Sequence, residues 1–116
     1  MNIERVNSEL QKNITDILRN DINDPRLDSF GIITIMEVQA TSDLDNCKVF
    51  ISVYGGEIKG KEAIKILQSM SNYIRKLLFE RMKIRKIPSL SFHLDNTLDY
   101  VYKISNLIEE ANKKEE

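Results

Sequence analysis

Ile64, Leu67, Met70, Ile74, Leu78 and Met82 recur at three- and four-residue steps, the spacing that places apolar side chains on one face of a helix. A single straight rod does not follow, because Ser69, Ser71 and Asn72 interrupt the stripe in its middle. Their short polar side chains compete for backbone hydrogen bonds and favour caps and bends over helix interiors. The stretch from Lys61 to Pro88 therefore predicts two helices meeting at a kink near Ser71-Asn72. Such a bent pair needs an apolar surface to cover, and the flanking segments supply one.

Ile3, Val6, Leu10, Ile14, Ile17 and Leu18 mark a first amphipathic helix with Asn2 as its cap. Pro25 disfavours helical geometry at the residue before it, so this helix ends near Asp24, after roughly 30 Å. Its cations Arg5, Lys12 and Arg19 have Glu4, Glu9 and Asp16 nearby and read as a solvated, self-paired face. Two strand patterns follow, Ile32 to Ala40 and Lys48 to Tyr54, joined by a segment of turn composition from Thr41 to Asn46. They predict an antiparallel hairpin. Gly55 to Gly60 reads as a flexible loop leading into the central helices. Beyond Pro88, Leu90, Phe92 and Leu94 alternate on a third strand from Ser89 to Asp95. Asn96 or Thr97 caps a last helix carrying Leu98, Val101, Ile104, Leu107 and Ile108, and the Glu/Lys-rich end from Glu109 frays. The expected order is α-β-β-α-kink-α-β-α: an α+β domain over 1–108, with helices on one face of a three-stranded sheet, and a charged tail over 109–116.

Several kinds of chemistry are disfavoured. One cysteine, Cys47, permits no internal disulfide, and with one histidine, His93, it makes no zinc site. No apolar run approaches a membrane span and the first residues do not form a signal peptide, so a cytoplasmic protein without membrane association is expected. Ser91, His93 and Asp95 share one strand face, but a hydrolytic triad needs convergence, and three successive same-face residues point in parallel. They are expected at the surface. Gly55, Gly56 and Gly60 lack the spacing of a phosphate-binding loop, Cys47 has only Lys48 as a cationic neighbour, and an inert thiol is expected. Phe50 and Tyr54 lack the glycine and aromatic spacing of an RRM and are expected to pack under the last helix or against a neighbouring strand. The reading is of a non-enzyme with no cofactor and no small-molecule substrate.

The second helix of the bent pair is where charge gathers. Arg75, Lys76, Arg81, Lys83, Arg85 and Lys86 stand against the single acid Glu80, a local charge of +5 in a chain whose formal total is −1. Solvated helix faces usually mix signs, so a cluster of this kind calls for a partner. Projected as a helix, Lys65, Asn72, Tyr73, Lys76, Phe79 and Lys83 lie opposite the apolar stripe. Cations interleaved with exposed rings suit RNA, where charge holds phosphates and rings stack on bases. A protein-interaction module docking an acidic partner on the same helix is the alternative.

Taken together, several segments resemble the ribosome-binding factor A family over nearly the whole chain, from about Arg5 to Ile108. They are Arg5 to Lys12, Asp24-Pro25-Arg26-Leu27, Ser42-Asp43-Leu44, Lys48 to Val53, Ile74 to Leu78, Arg81 to Asp95 and Ser105-Asn106-Leu107-Ile108. The resemblance implies a type II KH-like fold and a bacterial factor that acts on the small ribosomal subunit and its 16S rRNA. It further implies binding to the free 30S subunit in late maturation, support for 5′-end processing of the precursor, growth in the cold, and no catalysis. A KH module usually clamps single strands with a GXXG loop, where this chain has Ser69-Met70-Ser71-Asn72. The family's Ala-x-Gly kink maps onto Met70-Ser71-Asn72, with Asn72 the best non-glycine substitute for a left-handed or capping position. The expected RNA contacts are Arg75, Lys76, Arg81, Lys83, Arg85 and Lys86, extended by Lys65, with Ser71 and Asn72 shaping the surface and Arg5 and Lys12 as weaker candidates. A monomer is expected.

Overall fold

Helix α1 spans Ile3–Asp16 in the computed structural model, which describes residues 2–95. The Asn2 side chain caps it, accepting from the backbone N–H groups of Glu4 at 3.0 Å and Arg5 at 3.3 Å. The α-helical part is shorter than its apolar pattern predicts, because a π-helical turn takes over at Ile17–Asp21, closed by Ile22 N–H donating to the Ile17 carbonyl. The wider turn absorbs one extra residue, and Ile17, Leu18 and Ile22 all pack on the core. Asp24 is extended, as a residue before proline must be, and its side chain caps a 3-10 helix over Pro25–Phe30.

Strands β1 (Ile33–Ala40) and β2 (Asn46–Val53) form the expected antiparallel hairpin, and β3 (Ser89–Leu94) lies parallel to β2 on its other side. The sheet order is β1-β2-β3, a mixed sheet with β2 central. A bulge between Ile35 and Glu37 resets the alternation, so Ile35 and Val38 both face inward although they are three apart. Gln11 on α1 donates to the Ile35 carbonyl at 3.1 Å, and Asn7 accepts from Ala40 N–H at 2.9 Å. The same device serves the far edge: Gln68 donates to the Leu90 carbonyl and accepts from Phe92 N–H, both at 3.0 Å. Helix side chains thus occupy backbone groups that an edge strand would otherwise offer to another chain.

Helix α2 spans Gly56–Ser69 and α3 spans Ser71–Arg81, with Met70 between them. The expected loop from Gly55 to Gly60 is therefore mostly helix, entered through Gly55 at φ 115, a conformation glycine adopts without a side-chain penalty. Inside α2, Gly60 marks a close approach, since a Cβ there would stand 2.5 Å from Leu94 Cδ1 on β3. The core consists of the sheet's inner face (Cys47, Val49, Ile51, Leu90, Phe92) against Leu10, Ile14, Leu67, Ile74 and Leu78 from the helices. This is the α+β, type II KH-like arrangement, α-β-β-α-kink-α-β, with helices covering one face of the sheet. The expected C-terminal helix and charged tail lie outside the described residues.

Candidate nucleic-acid interface

The break between α2 and α3 follows from two facing requirements. Leu67 on α2 and Ile74 and Leu78 on α3 are all fully buried, so both helices must present apolar residues to one core. Met70 takes φ −99 and ψ 4, an ordinary right-handed bridge value, and donates its N–H to Leu67 while accepting from Ile74. Asn72 is helical with negative φ, so the kink needs no left-handed residue and sits one to two positions earlier than the Ser71-Asn72 reading. Ser71 is half-buried at the first position of α3, and Asn72 is exposed beside it.

Beyond Arg81 the chain is no longer helical: Met82 is extended at φ −98 and ψ 128. Lys83, Arg85 and Lys86 therefore belong to the loop leading to β3, and the helical projection that aligned Lys83 with Lys76 does not apply. This loop is well fastened. Ile87 and Pro88 are buried, Ser89 N–H donates to the Asp45 carbonyl at 3.0 Å, and Lys86 pairs with the Asp45 carboxylate. From α3, Arg75 Nη2 donates to the Ile87 carbonyl at 3.0 Å while its Nε is buried without a hydrogen-bond partner. Arg81 pairs with Asp21 in the π-helical turn.

The six cations thus divide in two. Arg75, Arg81 and Lys86 are engaged with the protein itself, and among the described residues Lys76, Lys83 and Arg85 have no carboxylate partner. Lys65 is also exposed and unpaired among these residues, on α2. Arg5 pairs with Glu9 at 3.6 Å, as its neighbourhood predicts, and Lys12 is exposed on the same helix. On α3 the exposed side carries Tyr73, Lys76 and Phe79 at successive steps of three, with Tyr73 51% and Phe79 60% exposed. They form a ring–cation–ring diagonal that rises about 9 Å along the helix axis. Two exposed rings flanking an exposed lysine give this side of α3 both stacking surface and positive charge.

The hairpin turn that anchors Lys86 is itself built for position. Thr41 Oγ1 donates to Asp43 and accepts from Asn46 N–H, and Asp45 N–H donates to Asp43. Leu44 takes φ 59, a costly value for a branched side chain, and is held there by burial at 7% exposure. No pattern in the residues announced Asp45, Asp21 or Gln68 as supports of this surface.

The alternative chemistries find little geometry. Ser91 Oγ and His93 Nε2 do meet, at 2.9 Å, contrary to the parallel arrangement expected of them. His93 also stacks on Phe50 across the β2–β3 pair, with ring centroids 5.5 Å apart and tilted by 35°. Phe50 thus packs against a neighbouring strand, as expected, whereas Tyr54 is 92% exposed. Cys47 is buried, and desolvation pushes its thiol up to about 11, well away from nucleophilic use. Hydrogen bonds from the Arg26 side chain hold the Asp24 carboxyl below its usual range and raise Arg26 in return. Among the described residues no group of three or more His, Cys, Asp or Glu side chains is placed to hold a metal ion, and no helix is long and apolar enough to cross a membrane.

Comparison with known proteins addresses the whole chain. A family model described as ribosome-binding factor A matches residues 2–108. Ribosome-binding factor A of Desulforamulus reducens is 40% identical over 112 residues, covering 97% of this chain and 91% of that protein. The crystal structure of ribosome-binding factor A from Thermus thermophilus superposes with a TM-score of 0.69 at 19% identity, covering 80% of this chain and 94% of the other. A Thermus thermophilus ribosome-binding factor A model fitted into the cryo-EM map of a 30S complex superposes with a TM-score of 0.63 at 19% identity, covering 77% of this chain and 90% of the other. Bent helix pair, mixed sheet, family model and relative agree: this chain belongs to the ribosome-binding factor A family.

Proposed function

We propose that this chain is a non-catalytic assembly factor that binds the free small (30S) ribosomal subunit through its 16S rRNA. It acts, in this reading, during late maturation and 5′-end processing of the precursor, in the cytoplasm, as a monomer, and its need is greatest in the cold. Family membership supports the ribosomal assignment, and the fitted 30S complex of the Thermus thermophilus protein supports the small subunit as target. The observation that carries the RNA contact is the division of the basic cluster. Lys76, Lys83 and Arg85 project from α3 and from a loop whose backbone is pinned by Arg75, Lys86 and Asp45. A pinned backbone leaves less to order when such side chains meet phosphates than a mobile loop would. Lys65 extends the surface on α2, and Ser71 and Asn72 shape it at the kink.

Binding energy is the whole mechanism. The factor favours the rRNA arrangement that it holds more tightly, and it shifts the subunit only by that difference in affinity. Sucrose gradients of cell lysate at low and high salt test the assignment. The protein is expected with small subunits at low salt and at the top of the gradient at high salt. Migration at the top under both conditions, or with 70S ribosomes alone, contradicts it. Excess rRNA is expected to strip the protein from its target; retention under competition favours an acidic protein partner instead.

A further inference from the structure

Beside Tyr73 lies an open groove of about 510 Å³ between the 21–25 turn and the Met70–Tyr73 bend. Its walls are the apolar side chains of Ile22, Pro25 and Met70, and the Tyr73 ring stands partly uncovered at its edge. The two acids at its rim do not make it an anion-repelling site, because Asp21 is paired with Arg81 and Asp24 with Arg26, the latter at 2.6 Å. Asn23, also on the rim, makes no side-chain hydrogen bond among the described residues and offers both a donor and an acceptor. Lys76, free of any carboxylate among those residues, stands one helical turn from Tyr73 on the same exposed side of α3.

We infer that this groove takes one unpaired RNA base, stacked on Tyr73 and edged by Asn23, with the adjoining phosphate on Lys76. The inference rests on the reading of the surface as an rRNA contact and narrows it to a single-stranded segment. A paired base has its faces covered by its neighbours, so only an unstacked one can lie on a ring. A flat aromatic, apolar walls, neutralised acids and, one helical turn from the ring, a lysine unpaired among the described residues form a nucleotide's complement, base and charge together. Phe79, one further step along the diagonal, stands outside the groove and serves as the internal comparison.

Fluorescence anisotropy of the full-length protein with end-labelled single-stranded RNA, and with a blunt duplex of the same sequence, tests it. Tyr73→Ala is expected to weaken single-strand binding about tenfold while leaving duplex binding and the salt slope unchanged. Tyr73→Phe, which keeps the ring, should bind as the parent does. Tyr73→Leu keeps bulk without a flat face and should fall with the alanine variant. Equal single-strand affinity of Tyr73→Ala and parent overturns the inference, as does equal loss on duplex and single strand, or full binding by the leucine variant. Lys76→Glu/Lys83→Glu separates the levels. If that variant loses RNA and Tyr73→Ala does not, the base site alone falls. If the double reversal binds as the parent does, the phosphate surface falls with it.

Discussion

Arg75 shows how one cation of a basic cluster can support its neighbours. Its Nη2 is committed to the Ile87 carbonyl and its Nε is buried, so it holds the loop that carries Lys83 and Arg85. Arg75→Met should cost about 1–2 kcal/mol in a urea melt, since the Ile87 carbonyl loses a charged donor. RNA affinity should fall with it, yet the slope of log affinity against log salt should not change. A slope shallower by about 0.7–0.9 would mean that Arg75 had neutralised a phosphate after all. Cys47 gives a pH test of the core. Burial lifts its thiol from 9.0 to about 11, so the folded state binds the proton more tightly than the unfolded chain does. Its contribution is fully present below pH 9.0 and is lost as pH climbs toward about 11. Chemical denaturation across that window should show stability declining, and Cys47→Ala should flatten the decline. Thiol reagents should leave the native protein unlabelled at neutral pH.

Among the elements, α2 and β3 pack closely at Gly60. Gly60 lets the helix come so close that an added Cβ would stand 2.5 Å from the Leu94 side chain. Gly60→Val should destabilise by about 2 kcal/mol through overpacking, read as a lower urea midpoint at constant slope. Little change would mean that Leu94 swings aside freely. The bent helix pair, the hairpin and the third strand were legible because periodicity is a local property: Leu67, Ile74 and Leu78 announce a helix face whatever surrounds them. The same locality explains the misses. Gly55 to Gly60 carries flexible-loop composition, yet tertiary packing draws all but its first residue into α2. The π-helical turn at Ile17–Asp21 left no mark in the apolar spacing. Ser91 and His93 touch because neighbours on one strand face can lean together, a detail that alternation alone does not contain.

Taken across the fold, the basic cluster is the feature that sequence could only half resolve. Its existence is countable, but which cations are spent is decided by partners far along the chain. Arg81 finds Asp21 across 60 residues, Lys86 finds Asp45 across 41, and Arg75 finds the Ile87 carbonyl across 12. No helical projection reveals such pairs. What remains, among the described residues, is four exposed cations of the proposed surface with no carboxylate partner: Lys65 on α2, Lys76 on α3, and Lys83 and Arg85 on the pinned loop. Four phosphates neutralised predict a slope near −3 for log affinity against log salt, roughly −0.7 to −0.9 for each. The most direct test is cosedimentation of the Lys76→Glu/Lys83→Glu protein with purified small ribosomal subunits. Both side chains are exposed and, among the described residues, unpaired, so the thermal melt should match the parent while association with subunits is lost. Undiminished cosedimentation by a fully folded double variant would contradict the account.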